Sequence, residues 1–125
     1  MTEARRRIGE AAEEIVARRL AARGWRVLER NARTRFGELD IVALDGTTLV
    51  FVEVKAGREG AAFGPERPVL GVGPRKRLRI RRLATAWMAE RRDVPRYSEI
   101  RLDAVGVTFD RAGRVVDFEH LEGAF

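Results

Sequence analysis

The stretch of sequence that decides the fold is residues 37–55, which read GELDIVALDGTTLVFVEVK. Its two apolar runs, Leu39 to Leu44 and Leu49 to Lys55, have the length and composition of β-strands. The residues between them favour a turn, so the runs are predicted to form a hairpin. Because both runs are apolar on both faces, we expect helices or loops to cover each side of the sheet.

The register of this hairpin determines which side chains meet. A loop of residues 46–47, or of residues 45–48, sets Asp40 opposite Glu53. Opposed side chains on one face of a sheet have Cβ atoms roughly 4.5–5.5 Å apart. Lys55 shares the face of Glu53 because side chains alternate along a strand. This register therefore predicts two carboxylates and a lysine at one place.

A second register stays open. A turn at Asp45-Gly46 slips the pairing by two residues and sets Asp40 beside Phe51 instead of Glu53. That pairing weakens the predicted cluster without removing it.

Two carboxylates and a lysine suit the hydrolysis of a phosphodiester. The reaction needs a hard cation to polarise the phosphate, and positive charge where the transition state becomes negative. Asp40 and Glu53 are predicted to bind Mg²⁺ or Mn²⁺, which accept oxygen ligands, with the carbonyl of Val54 beside them. Lys55 is predicted to orient or deprotonate the attacking water, or to stabilise the developing anion.

The use of lysine singles out the same position. Only Lys55 and Lys76 are lysines among 25 basic residues; the others are arginine. An ammonium is compact and its pKa responds to its surroundings, whereas a guanidinium stays charged. Lysine is therefore expected where those properties matter.

The rest of the chain is predicted to alternate helices and strands around this hairpin. Apolar spacing, turn residues and Pro74 predict helices over Glu3–Arg23 and Pro74–Arg92, strands over Trp25–Glu29, Ile100–Val107 and Val115–Leu121, a polar loop through Asn31 and Arg35, and a long loop over residues 56–73. Trp25 and Trp87 are expected in the core, and His120, which has no evident partner in the sequence, is expected to be structural.

Composition bounds the class of protein. The chain has 125 residues, 45% apolar and 35% charged, which predicts one globular domain over residues 1–125. It has no apolar run long enough to span a membrane, no signal-peptide core and no cysteine, so we expect a cytoplasmic protein. Its net charge of +6 predicts a polyanionic partner, with nucleic acid first.

The basic residues concentrate at the start of the second long helix. Six of the eight residues from 75 to 82 are basic and none is acidic, although a helix N-terminus favours anions. An external polyanion explains such a cluster better than helix stability does. The residues predicted to contact backbone phosphates are Arg35, Arg58, Arg75, Lys76, Arg77 and Arg79.

These residues resemble a known family. The similarity to the YraN family of small bacterial proteins is carried by Gly9-Glu10-Ala11-Ala12, Gly24-Trp25, Asn31, residues 37–43, Phe51-Val52-Glu53-Val54-Lys55, Lys76, Arg79, Arg101-Leu102-Asp103 and the terminal Gly123-Ala124-Phe125. That family is similar to archaeal Holliday junction resolvases and to the PD-(D/E)XK nuclease superfamily. One departure is Gly57, where members usually carry an arginine; Arg58 follows it here.

The resemblance implies a fold and a set of site residues. It implies the restriction-endonuclease-like α/β fold, a mixed β-sheet flanked by helices. It maps the metal ligands onto Asp40 and Glu53, the catalytic lysine onto Lys55, and the helical glutamate of the resolvases onto Glu10 as a further catalytic residue. Lys76 falls where many members carry a supporting polar residue. The resemblance also implies a homodimer, since resolvases of this fold cut two strands symmetrically.

The expected function is a Mg²⁺- or Mn²⁺-dependent DNA endonuclease, structure-selective, in repair or recombination. Two alternatives remain at this point: a nucleic-acid-binding module without catalysis, and an adaptor whose loop of residues 56–73 docks a protein. The same fold hosts members that bind nucleic acid without cutting it.

Overall fold

The fold is a mixed β-sheet with one long helix on each face. The computed structural model describes residues 2–60, 68 and 73–125. In chain order the described elements are α1 (Glu3–Ala22), β1 (Arg26–Thr34), β2 (Gly37–Asp45), β3 (Thr48–Arg58), α2 (Pro74–Glu90), β4 (Glu99–Phe109) and β5 (Val115–Leu121). This is the predicted α/β class, and the arrangement is compatible with a restriction-endonuclease-like fold.

Helix boundaries follow from local chemistry. The side chain of Thr2 caps α1 by accepting the N–H of Arg5 at 3.2 Å. Gly24, at φ +90°, follows the end of α1 in a conformation that favours glycine. Pro74 occupies the first turn of α2, where its missing N–H is not needed.

The sheet order is β1-β2-β3-β4-β5. β3 and β4 run parallel, with α2 in the crossover between them, and the other neighbouring strands are antiparallel. The strands bury apolar side chains on both faces, so the sheet separates two hydrophobic clusters. One packs against α1 through residues such as Val16 and Val52, and the other packs against α2 through Phe51 and Trp87. The predicted cover on both faces is confirmed.

The central hairpin has the first of the two predicted registers. Leu44 pairs with Leu49 and Asp45 with Thr48, so the loop is Gly46-Thr47. The ladder runs as far as the pair Ile41 and Val52. The alternative register, with Asp40 beside Phe51, is wrong, because Phe51 pairs with Val42.

The prediction for β1 was too short. The polar loop expected through Asn31 and Arg35 is instead strand as far as Thr34, and the turn is confined to Arg35 and Phe36. Pairing with β2 outweighs the polar composition of this segment, and Ala32 is fully buried within it.

The predicted loop over residues 56–73 begins later than expected. β3 continues to Arg58 because its pairing with β4 continues to Phe109. Residues 61–67 and 69–72 lie outside the described part of the chain, and so does most of the proposed docking loop. The helices that the structure describes include none long and apolar enough to cross a bilayer.

Candidate active site

The hairpin strands separate at Asp40. One residue beyond the last β2–β3 pair, the Oδ2 atom of Asp40 accepts the backbone N–H of Val54 at 2.8 Å. A side-chain oxygen thus takes the place of a backbone carbonyl in the ladder. The N–H and C=O of one strand residue point to the same side, so the carbonyl of Val54 also faces this gap.

The strand pairing around Asp40 is also irregular on the side that faces β1. The ladder between β1 and β2 has Arg30 opposite Ile41 and Ala32 opposite Leu39, which leaves Asn31 opposite Asp40 outside the regular pairing. Asn31 has φ 50°, the only positive φ among the described residues that are not glycine. Irregular backbone of this kind concentrates at functional sites because it re-aims side chains.

Asp40 and Glu53 form a carboxyl pair. Burial and then the negative charge of Glu53 raise the pKa of Asp40 to about 8, although the hydrogen bond from Val54 opposes this rise. A hydrogen bond between the two side chains also favours the protonated form of Asp40. The side chain of Glu53 is only 13% exposed. Two carboxyl groups in contact with little water hold a proton between them unless a cation replaces it.

Both lysines of the chain approach this pair. The Nζ atom of Lys76 lies 3.3 Å from Oε1 of Glu53, and that of Lys55 lies 4.0 Å from the same oxygen. Lys55 is on β3 and Lys76 is on the first turns of α2, so the site joins the sheet to a helix. The sequence predicted Lys76 as a phosphate contact; the structure places it against Glu53.

A third acid, Glu13 of α1, faces the same cluster. Burial raises its pKa, the charge of Arg30 lowers it, and the charges of Glu38, Glu53 and Glu10 raise it. Glu13 in turn contributes to the raised pKa of Asp40.

The Asn31 amide links this helix to the sheet. With its orientation assigned from the hydrogen-bond network, the amide nitrogen donates to Oε1 of Glu13 at 2.8 Å and to Oε1 of Glu38 at 3.1 Å.

Sequence reasoning missed Glu13 as a site residue. Glu10, carried over from the resemblance, lies one helical turn earlier and is exposed. It acts on Glu13 by its charge. The available signal was the helical period, which places residues 10 and 13 on neighbouring positions of one face, but solvated glutamates are common on helices.

The groups that meet beside the two lysines, the side chains of Asp40 and Glu53 and the carbonyl of Val54, offer only oxygen atoms as ligands. Among residues 2–60, 68 and 73–125, no group of three or more Asp, Glu, His or Cys has the geometry of a metal site. Asp40 and Glu53 are the two carboxyl groups that meet here, and the Val54 carbonyl faces the same gap.

The arginines at the start of α2 form an exposed cationic surface. Arg75, Arg77 and Arg79 are exposed, and none forms an ion pair with a described residue. The first turn of α2 contains no acid, and no side chain in the described part of the protein caps its N-terminus. Cations at this end of a helix oppose its dipole, so their placement does not come from helix stability.

The other two predicted phosphate contacts lie on either side of this surface. Arg35 occupies the β1–β2 turn beside α2, where its backbone N–H donates to Glu90 at 3.2 Å. Arg58 ends β3 and lines a cavity of about 320 Å³ with Arg7 and Arg111. Arg35 and Arg58 thus both lie beyond the carboxyl pair at the same end of the hairpin, Arg35 beside α2 and Arg58 beside α1.

A separate polar cluster holds the C-terminal segment. Asp103, fully buried on β4, accepts two hydrogen bonds from Arg101, one from His120 at 2.8 Å and one from the N–H of Gly123. Burial opposes the charge of Asp103, but these hydrogen bonds together lower its pKa. His120 therefore has a partner, Asp103, that its sequence position did not reveal.

Comparison with known proteins identifies the family. Residues 12–107 match the model of the uncharacterised protein family UPF0102. The chain is 44% identical to the UPF0102 protein of Pelotomaculum thermopropionicum over the whole length of both proteins. It is 47% identical to that of Streptomyces griseus over 96% of the chain and 97% of the relative. The chain belongs to the UPF0102 family, in agreement with the YraN-like resemblance of its motifs.

Proposed function

We propose that this UPF0102 protein is a Mg²⁺- or Mn²⁺-dependent DNA endonuclease with a PD-(D/E)XK-type site. The observation that carries the proposal is the contact of Asp40 with Glu53 beside the only two lysines of the chain. Two carboxyl groups that meet where little water reaches them make folding less favourable. Their presence is therefore explained by function and not by stability. Binding a divalent cation is such a reason.

The residues present fit Mg²⁺ or Mn²⁺. Both ions accept carboxylate and carbonyl oxygens, and Mg²⁺ keeps several waters, so two carboxylates suffice. Asp40, Glu53 and the Val54 carbonyl would hold the ion. When bound, it would polarise the phosphate and lower the pKa of a water. The site offers no sulfur or imidazole ligand among the described residues, which disfavours zinc.

The lysines supply positive charge at the reacting phosphate. Lys76 and Lys55 approach Glu53 at 3.3 and 4.0 Å and are 27% and 30% exposed, so each can reach an entering phosphate oxygen. Fixed positive charge in a site with little water stabilises the charge of the transition state. Lys55, which follows Val54 on β3, would orient the attacking water.

The exposed arginines would bind the substrate backbone. Arg75, Arg77 and Arg79 flank Lys76 on the first turns of α2, so a strand bound along these turns would pass beside the carboxyl pair. Contacts of this kind supply affinity and salt dependence rather than sequence specificity. They agree with a substrate recognised by its shape.

Cleavage of labelled DNA tests the proposal. Four-way junction, flap, single-stranded and duplex DNA would be incubated with the protein in Mg²⁺, Mn²⁺ or EDTA. We expect metal-dependent cutting that Asp40→Asn, Glu53→Gln and Lys55→Ala each lower by at least about 100-fold. Asp117→Asn, the same change at an exposed acid on β5, is the matched control. Cutting that survives the three site substitutions would assign the activity elsewhere.

One observation favours a second candidate, a nucleic-acid-binding module without catalysis. Arg75, Arg77 and Arg79 are exposed and form no ion pair with a described residue, so they would bind DNA whether or not the carboxyl pair cuts it. This candidate predicts salt-dependent DNA binding that Arg75→Ala and Arg77→Ala weaken, with no cutting in either metal. The cleavage assay and a binding assay on the same DNAs separate the two.

A further inference from the structure

We propose that the β1–β2 turn and the first turns of α2 form a binding site for one unpaired nucleobase, with Phe36 as the stacking side chain. This rests on the proposed function and names the form of its substrate. Phe36 and Leu78 are 39% and 67% exposed. With Arg79, Arg82 and Leu83 they line one cavity of about 370 Å³. An apolar patch beside cations that form no ion pair with a described residue suits a ligand that is aromatic and anionic.

The turn that carries Phe36 is held rigidly. The N–H of Phe36 donates to Oγ1 of Thr34 at 3.1 Å, and the hydroxyl of Thr34 donates to the carbonyl of Gly37 at 2.9 Å. The N–H of Arg35 donates to Glu90 of α2 at 3.2 Å. An exposed ring on a pre-organised turn loses little conformational entropy when a ligand binds.

Gly37 brings this turn against α2. Its φ is +140°, and a Cβ there would lie 3.3 Å from Cδ2 of Leu83 and 3.4 Å from Nη2 of Arg79. The close approach requires the absence of a side chain. Phe36 therefore forms one continuous surface with the cationic residues of the helix.

Two arginines lie against the ring. The guanidinium carbon of Arg82 is 3.9 Å from the centroid of Phe36, and that of Arg35 is 4.6 Å from it. Neither arginine forms an ion pair with a described residue. Nucleobases stack on aromatic rings and on guanidinium planes. Arg35 is the more distant of the two and lies on the turn, so its guanidinium is the one that a base would displace.

The base must be unpaired. Inside a duplex both faces of a base are covered by its neighbours, so a protein ring stacks only on a base that has left the helix. The phosphates on either side of that base would meet the arginines of α2. A single strand, a flap or a branch point offers this combination, and an intact duplex does not.

The spacing to the carboxyl pair makes the proposal more specific. Phe36 lies in the turn directly before β2 and precedes Asp40 by four residues. At about 3.3 Å per strand residue the separation is roughly 13 Å, or about four stacked nucleotides at 3.4 Å each. The bound base would then lie about four nucleotides from the cut.

Binding measured in EDTA tests the site without requiring cleavage. Fluorescence anisotropy would follow a 12-nucleotide single strand, as DNA and as RNA, and a blunt duplex. We expect Phe36→Ala to weaken single-strand binding by about 5- to 100-fold, the range of one base-stacking contact, and to change duplex binding less than about twofold. Phe36→Tyr should restore binding and Phe36→Leu should not. Val116→Ala, at an equally exposed apolar residue on β5, should bind as the wild type does.

Several outcomes would overturn the proposal. The first is that Phe36→Ala binds single-stranded DNA and RNA as tightly as the wild type does. The second is that Phe36→Ala weakens binding to the single strands and to the duplex by the same factor. The third is that Phe36→Leu binds single strands as tightly as the wild type does. Thermal melting of each variant checks that the turn still folds. Cutting without dependence on Phe36 removes this inference and leaves the endonuclease. Dependence on Phe36 without cutting in any metal supports this site and removes the endonuclease.

Discussion

Replacing Asp40 with asparagine should stabilise the metal-free protein while abolishing its proposed activity. Burial and the charge of Glu53 raise the pKa of Asp40 to about 8. The carboxyl group is therefore unfavourable in its ionised form in the folded protein. The neutral amide of asparagine keeps an oxygen that can accept the N–H of Val54 and gains an N–H that can donate to Glu53.

The magnitude follows from the pKa. At pH 7 the unfolded chain ionises Asp40 at its ordinary pKa of 3.8, whereas the folded chain retains the proton. At about 1.36 kcal/mol per pH unit, the difference makes folding less favourable by up to about 4 kcal/mol at pH 7. Partial exposure of Asp40 reduces this value. We expect a net gain of about 2 kcal/mol, or roughly 6–10 °C in Tm.

The upward direction of the pKa shift also predicts how the stability difference between the wild type and Asp40→Asn depends on pH. Asp40 has a raised folded pKa, so its protonated form contributes fully below pH 3.8 and this contribution is lost as the pH rises through about 8. The wild type and Asp40→Asn should therefore unfold alike near pH 4. The gap should widen up to about pH 8 and stay constant above it.

Thermal unfolding in EDTA at several pH values measures this directly, with Asp117→Asn as the exposed control. Added Mn²⁺ should raise the Tm of the wild type and leave that of Asp40→Asn unchanged. An Asp40→Asn protein less stable than the wild type at pH 8 would refute the reasoning, because it would mean that the ionised carboxylate contributes favourably to folding.

Three further substitutions test other contacts. Lys76→Ala should lower DNA cleavage at least about tenfold with little change in Tm, since a partly exposed ion pair contributes at most about 1 kcal/mol; wild-type cleavage would limit this lysine to a structural role. Gly37→Ala should lower the free energy of unfolding by about 1–2 kcal/mol in urea, whereas Gly9→Ala, in open space on α1, should not lower it; equal effects would contradict the close approach of the turn to α2. Asp103→Asn should lower the free energy of unfolding by about 2–4 kcal/mol at pH 7. Because the folded pKa of Asp103 is lowered, this loss should disappear as the pH falls below about 4; a loss that persists there would point to His120 and packing instead of charge.

The sequence predicted those parts of the site that depend on local pattern. The strand period and the Gly46-Thr47 loop were enough to bring Asp40 toward Glu53. The contact between Lys76 and Glu53 depends on where α2 crosses the sheet, which no local pattern specifies. Asn31 was assigned to a loop because polar residues disfavour strands, yet the pairing of its neighbours Arg30 and Ala32 with β2 holds it at the site.

The two polar clusters differ in how much the sequence could reveal. Asp103 and His120 lie 17 residues apart on paired strands, β4 and β5. Their contact requires the register of a hairpin whose strands carry weak alternation, and neither residue suggested the other. Asp40 and Glu53 come from a hairpin whose turn residues left only two registers, one of which sets the two acids opposite each other. The two clusters therefore differ in how well the sequence predicts the register of their strands, and not in the chemistry of their side chains.

The choice of lysine at two positions has a geometric explanation. A guanidinium presents a planar fork that binds both oxygens of a carboxylate, whereas an ammonium is a point charge that makes a single contact. Lys55 and Lys76 both approach Glu53 at Oε1. Arginine at either position would engage both oxygens of Glu53 and compete with Asp40 and with a cation for them. In a chain with 23 arginines, lysine stands at the two positions where a guanidinium would occupy both carboxylate oxygens of Glu53.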